Sequence, residues 1–254
     1  MTDTTTAPAF EASRAQEDPG YVVNAPYYDL IFPSVVRDTL AGALRAVLPG
    51  ARAVAELGPG TGQFTEVIAR LLGSEAEVFA VEPARIMRAA LATRLAALPG
   101  DAARVTVLPE GALEAELDTP CDAVVLFNLV MHFGPRERAK LWRKWGEALR
   151  PGGLLLLETQ YPQTAVAVPA SEVPGRTLGR RRYDTVSRAE VAGEDLIRWI
   201  MTYRTWEGEE LLLSETAEFD CHVVSDERLA AELTGAGFTR QEDPAEGVQA
   251  WRRS

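Results

Sequence analysis

The stretch "VAELGPGTGQF", residues 54–64, decides the fold. A short apolar run carries Glu56 near its end, and then Gly58, Gly60 and Gly62 occupy alternate positions around Pro59. Glycine reaches positive φ without strain and lacks the side chain that holds a ligand away from the backbone. One glycine suffices for a turn. Three at alternate positions point to a strand–turn–helix with something lying directly against the main chain.

The flanking sequence alternates between two periods. Val36, Leu40, Ala43, Leu44, Val47 and Leu48 predict a helix from Ser34, closed by Pro49-Gly50. A strand over 52–57 leads into the glycine turn, and a helix with Phe64, Val67, Ile68, Leu71 and Leu72 on one face follows it. "EVFAVE" (77–82) is a second apolar strand, 84–98 an amphipathic helix, and 104–109 and 122–128 two more strands. Gly134-Pro135 opens a helix whose buried stripe is Leu141, Trp142, Trp145 and Leu149. Pro151-Gly152-Gly153 reads as a turn before a fifth strand, "LLLLETQ". Strands alternating with helices, several apolar on both faces, imply an α/β fold: a doubly wound, Rossmann-like, mostly parallel sheet. Ligands in such sheets sit at the carboxyl ends of the strands, where the strand order reverses. The glycine turn, Glu82, the 110–112 stretch and Asn128 all fall on that edge.

Four segments are expected. Residues 1–20 are a polar lead-in, and 21–175 an N-terminal segment with the α/β core. Residues 176–224 form a small antiparallel β insertion after the fifth strand, with hairpin turns at "AGED" and "EGEE". Residues 225–254 complete the core with a helix at about 226–234 and strands near 238–242 and 247–253.

Charge excludes one class of partner. With 26 basic against 37 acidic residues the net charge is −11, which opposes binding to a phosphate backbone, so no nucleic acid is expected. Arg180-Arg181-Arg182 reads as a solvated strand end. The two cysteines, Cys121 and Cys221, imply no disulfide framework and suit a reducing cytoplasm. No basic start followed by an apolar segment marks a signal peptide, and no apolar run is long enough to span a bilayer, so no membrane is expected.

Two ligands compete for the glycine turn. A dinucleotide loop is spaced G-x-G-x-x-G with the pyrophosphate on the helix N-terminus; here the spacing is G-x-G-x-G, with the acidic Glu56 just before it. Glu82 follows Gly62 by 20 residues, where a ribose diol is bonded in either case. A negative Glu56 disfavours a pyrophosphate and suits a cationic amino acid or sulfonium. The balance favours S-adenosylmethionine.

Together, "VAELGPGTGQF", "VFAVEPARIMRAA", "CDAVVLFNLVMHF" and "LRPGGLLLLE" resemble the class I S-adenosylmethionine-dependent methyltransferases, in the family's order across residues 52–160. The resemblance implies that Gly58, Gly60 and Gly62 pass under the methionine part of the cofactor. It places Glu56 near that part, Glu82 on the ribose hydroxyls and Pro83 beside the adenine. Many relatives carry an acidic residue against the adenine amino group; here Gly111 and Ala112 occupy that stretch, leaving Glu110 or backbone to do the job. Asn128 reads equally as a strand cap or as a cofactor contact. Tyr28, in "NAPYYDLIF", matches the position from which a relative's Tyr closes over cofactor or substrate, and reads equally as an aromatic staple. Of the two histidines, His132 is the candidate catalytic base at the rim of the fourth strand, and His222 a packing residue. The insertion resembles that of relatives methylating small molecules, sugar N-methyltransferases of antibiotic pathways among them, where it roofs the acceptor site.

The expectation is a cytoplasmic S-adenosylmethionine-dependent enzyme that methylates an oxygen or nitrogen of a small-molecule acceptor, calling for no metal and compatible with a homodimer. Two others stand beside it: the same cofactor serving a cyclisation or rearrangement, and a non-catalytic binding partner.

Overall fold

The computed structural model describes residues 19–98 and 100–254; most of the polar lead-in lies outside the described residues. Two helices, α1 (Pro19–Ile31) and α2 (Ser34–Val47), precede an alternating series. It runs β1 (Ala53–Leu57), α3 (Gln63–Leu71), β2 (Glu77–Val81), α4 (Arg85–Ala96), β3 (Val105–Leu108), β4 (Cys121–Leu126), α5 (Pro135–Ala148) and β5 (Leu149–Glu158). Four long strands follow, β6 (Val168–Leu178), β7 (Arg181–Val191), β8 (Leu196–Glu207) and β9 (Glu210–His222), then α6 (Asp226–Gly235), β10 (Phe238–Arg240) and β11 (Val248–Arg253).

The main sheet has the order β10-β11-β5-β4-β1-β2-β3, with β11 antiparallel to both of its neighbours, β10 and β5, and the pairings from β5 to β3 all parallel. Every residue of β1 is buried, as a central strand covered on both faces requires. Alternation sends Ala53, Ala55 and Leu57 to one face, with Leu141, Trp142 and Trp145 of α5 and Leu229 and Leu233 of α6. Val54 goes to the other face, with Leu40 and Leu44 of α2 and Phe64 and Ile68 of α3. Glu56 shares the Val54 side, so the pleat alone aims it at α3. The order reverses between β1 and β4, which puts the crevice beside the glycine turn.

Trp142 and Trp145 are core, as their helical spacing implies, and both indole N–H groups are satisfied: Trp145 donates to the Ala112 carbonyl at 2.9 Å and Trp142 to Glu232 at 3.2 Å. The fully buried Arg138 joins α5 to α6 by two bonds to the Glu232 carboxylate, at 2.9 and 2.8 Å. Removing either partner of such a pair costs about 3–5 kcal/mol, since the other charge is left buried.

One unforeseen helix is added and two expectations are corrected. The segment before Ser34 is a helix, α1, which its internal Pro26 conceals: proline has no N–H to give the preceding turn. Tertiary contacts outweigh that loss. Tyr27 and Ile31 are buried against Tyr203, Ala217 and Phe219 of the second sheet. That sheet, ordered β6-β7-β8-β9, begins at Val168, so the expected boundary at 176 falls inside β6. Pro169, Pro174 and Gly175 hide this strand from a propensity reading, yet β6 is an edge strand, where proline is tolerated. Gly175 is needed for its smallness: a Cβ there would stand 2.4 Å from the Tyr183 carbonyl oxygen and 3.0 Å from that of Leu30 in α1. Lastly, Pro151-Gly152-Gly153 does not stand outside the strand. It forms an irregularity within β5, where Cys121 pairs Leu149 and Ala123 already pairs Leu154, with Gly152 at φ +77°. The hairpin turns at 192–195 and 207–210 fall where expected, between β7, β8 and β9. Arg181 fits the solvated reading, pairing Glu207 at the surface, whereas Arg182 covers the Trp206 ring and pairs the buried Asp184.

Candidate active site

All three turn glycines are left-handed, at φ +65° (Gly58), +57° (Gly60) and +83° (Gly62). At Gly62 a Cβ would stand 2.4 Å from Leu91 Cδ1, and at Gly58 2.7 Å from Leu129 Cδ1. Those two glycines let the turn sink between α4 and the loop after β4. Gly60 differs: a Cβ there would meet nothing within 4 Å. Its bare backbone borders open space.

Two carboxylates flank this turn. Glu56 is 2% exposed and accepts a hydrogen bond from Thr65 Oγ1 at 2.5 Å. Burial pushes its carboxyl up to about 7; the Thr65 bond lowers it somewhat and nearby Glu82 raises it further. Glu82 accepts from the Gly60 N–H at 2.9 Å and from the Ala84 N–H at 2.8 Å. Burial raises its carboxyl, opposed by these two N–H groups and by Arg88. Pro83 next to it is exposed, its carbonyl accepting from Arg88 at 2.6 Å. Beyond β3, Gly111 sits against Glu114, and Ala112 is turned into the core with its carbonyl committed to Trp145. Glu110 has a buried Oε2 with no hydrogen-bond partner.

A second group lies at the ends of β4 and β5. Asn128 is a non-glycine residue at φ +52°, a conformation its short polar side chain tolerates better than most. The Tyr28 hydroxyl lies beside the Asn128 side chain, and burial with the charges of Asp29, Glu158 and Glu82 raises its pKa. The adjacent tyrosines of α1 divide the two roles open to Tyr28. Tyr27 is the staple, stacked on Tyr203 with centroids 5.0 Å apart and donating to Glu215 at 2.9 Å. Tyr28, one helical step on, turns toward the strand ends. His132 is exposed at the end of the short 3₁₀ turn Val130–His132, its Nε2 3.1 Å from the Tyr21 hydroxyl, while Tyr21 packs on Phe219 of β9. His222 is half-buried, packed close to Gly134 and 3.7 Å from Asp195.

Sequence reasoning missed four of these residues. Asp29 accepts from Thr61 Oγ1 at 2.5 Å and from Gln63 Nε2 at 2.7 Å, and pairs with Arg94. Arg94 also donates to the Thr61 carbonyl at 3.0 Å and to Glu66 at 2.9 Å. This cluster fastens α1 across the glycine turn to α3 and α4; the Tyr-Asp pair in "NAPYYDLIF" was its visible signal. Glu158 and Gln160, at the end of β5, had no motif to announce them.

The residues at the turn fit a cationic, diol-bearing ligand: a buried carboxylate with one hydrogen bond, a second at a strand end, and an open glycine between them. Among the described residues no group of three or more side chains is placed to hold a metal ion.

Residues 55–155 match the Methyltransferase domain family. No protein of curated function matches the chain. Among solved structures it is similar to CalS10 of Micromonospora echinaspora, a calicheamicin-pathway amino pentose methyltransferase solved with S-adenosylmethionine (22% identity, 92% of this chain and 97% of that one, TM-score 0.70). It is also similar to the CcbJ methyltransferase of Streptomyces caelestis (21%, 91% and 96%, 0.71) and to the sugar N-methyltransferase KedS8 of a Streptoalloteichus species (19%, 100% and 98%, 0.63). At these identities the likenesses establish the shared fold, including the antiparallel sheet after the fifth strand. The matched Methyltransferase domain carries the glycine turn, both flanking carboxylates and Asn128, within a chain that shares the fold of these methyltransferases.

Proposed function

We propose that the protein transfers a methyl group to an oxygen or nitrogen of a small molecule of secondary metabolism, held between the ends of β4 and β5, α1 and the second sheet. The carrying observation is that α1 reaches two polar sites: the glycine turn with Glu56 and Glu82, which Asp29 ties to the helix, and the strand ends, where Tyr28 meets Asn128 and Tyr21 meets His132. The first suits the cofactor, the second an acceptor beside it. The amino pentose and sugar substrates named for CalS10 and KedS8 support an acceptor of that size. No helix among the described residues is long and apolar enough to cross a membrane, consistent with action in the cytoplasm. Leu211, Leu212 and Leu213, exposed on edge strand β9, support the homodimer reading.

S-adenosylmethionine, when bound, supplies an electrophilic methyl on a sulfonium. In this reading Glu56 faces its α-ammonium, Glu82 its ribose hydroxyls, and the unpaired Glu110 oxygen its adenine amino group. Gly58, Gly60 and Gly62 carry the turn beneath it. Pro83, Gly111 and Ala112 border the adenine by backbone and shape. Tyr28 and Asn128 close the methionine end, and His132 accepts the proton that the acceptor must lose. The rest of the acceleration comes from alignment. Incubation with methyl-labelled cofactor and a panel of small amino and hydroxy compounds tests this. Label transferred to an acceptor supports it; cofactor bound and never spent, with an acceptor rearranged instead, favours the cyclisation reading.

Cofactor affinity is expected to depend on pH through Glu56. Its raised carboxyl helps the cofactor-free protein below the ordinary carboxylate value of 4.5, and that contribution is lost as pH rises through about 7. The cofactor ammonium needs the ionised form, so affinity should weaken up to about tenfold per pH unit below 7. Calorimetric titration between acid and neutral pH should show that slope in the parent and a flatter one in Glu56→Gln. Parallel slopes would assign the dependence elsewhere.

A further inference from the structure

Glu158 ends β5 beside Asn128, at the acceptor side of the proposed site. Its Oε1 accepts from Gln160 Nε2 at 3.0 Å, and Gln160, itself 4% exposed, also donates to the Glu158 carbonyl at 3.2 Å. One carboxylate oxygen is thereby held in place. The other, Oε2, is buried and has no hydrogen-bond partner. A buried carboxylate oxygen without a donor is costly, and a site that retains one implies a donor supplied from outside. The same carboxylate is within electrostatic reach of the Tyr28 hydroxyl, which also senses Glu82 and Asp29. Negative charge therefore converges on the space in front of Tyr28.

We propose that Glu158 selects an amine as the methyl acceptor, its free Oε2 accepting an N–H from the acceptor nitrogen beside the transferred methyl. The proposal deepens the methyltransferase reading and rests on it. In the step, the nitrogen lone pair forms the C–N bond while the C–S bond breaks and its electron pair stays on sulfur. Positive charge passes from the sulfonium to the nitrogen, which keeps its protons as the product ammonium. A fixed carboxylate beside that nitrogen stabilises the charge as it develops. A hydroxyl acceptor gains less, because its oxygen becomes alkoxide-like on losing a proton and is repelled by the same group. Burial pushes the Glu158 carboxyl up to about 7, offset by the Gln160 amide and nearby backbone N–H groups, and a cationic partner would hold it ionised. Glu158 is on this account a specificity-determining residue, and Gln160 positions it.

The test needs no knowledge of the acceptor. Sinefungin carries an ammonium where the cofactor carries its sulfonium methyl, so it presents a cationic nitrogen at the point of transfer; S-adenosylhomocysteine has nothing there. Titration calorimetry should show the parent binding sinefungin at least tenfold more tightly than S-adenosylhomocysteine. Glu158→Gln should abolish that preference while holding S-adenosylhomocysteine within about twofold, and Glu158→Asp, which keeps the charge, should retain part of it. Equal loss for both nucleosides, or an unaltered preference, would overturn the assignment. If Glu158→Gln fails to fold, the parent comparison alone decides: no preference for sinefungin rejects the proposal. A parent that binds neither nucleoside rejects the methyltransferase reading, and this inference with it.

Discussion

His132→Ala is expected to lower turnover by about 10²–10⁴ while leaving cofactor affinity nearly intact, the range typical of losing a positioned general base. An ammonium acceptor must give up one proton before its lone pair can attack, and in the proposed reading His132 is the residue that takes it. Tyr21, its hydroxyl 3.1 Å from Nε2, holds the ring; with Nε2–H donating to that hydroxyl, the lone pair of Nδ1 is left to accept the proton. The parent rate should rise with pH as the imidazole loses its charge. His132→Gln, which keeps hydrogen bonding without basicity, should recover only part of the loss and show a smaller pH step. Full turnover in the alanine variant would mean that alignment alone drives the reaction and that the base assignment is wrong.

Glu82→Ala is expected to weaken cofactor binding by about a hundredfold. Hydrogen bonds to a charged group contribute about 1.5–3 kcal/mol each, and the proposed ribose diol presents two donors. The structure adds a second route to the same loss. Glu82 also ties the Gly60 and Ala84 N–H groups, so alanine there loosens the turn itself. Each carboxylate oxygen can accept more than one hydrogen bond, and the two functions are compatible. Glu82→Gln separates them, since its single carbonyl oxygen serves at most one side well. Equilibrium titration with S-adenosylhomocysteine reads the affinity, and a melting curve confirms the fold. An unchanged dissociation constant in Glu82→Ala would reduce the residue to a structural brace.

Much of the core was settled locally, in the chain itself. The 52–57 run, the three glycines and the Phe64 stripe determine a strand, a turn and a helix whatever surrounds them, because period and φ preference are properties of neighbours in sequence. The acidic residues at 56 and 82 follow, since a residue's place on its strand fixes whether it ends at the ligand edge. The tertiary structure alone decided the rest. Propensity argues against a helix through Pro26 and a strand through Pro169 and Pro174, and both form because Tyr27 and Ile31 meet a sheet whose edge strand spares its N–H groups. Asp29 and Arg94 are 65 positions apart, and only the crossing of α1 over the glycine turn joins them. Glu158 looks in sequence like the polar end of an apolar strand. Its meaning rests on a buried oxygen without a donor, a property of everything packed around it and of no spacing in the chain.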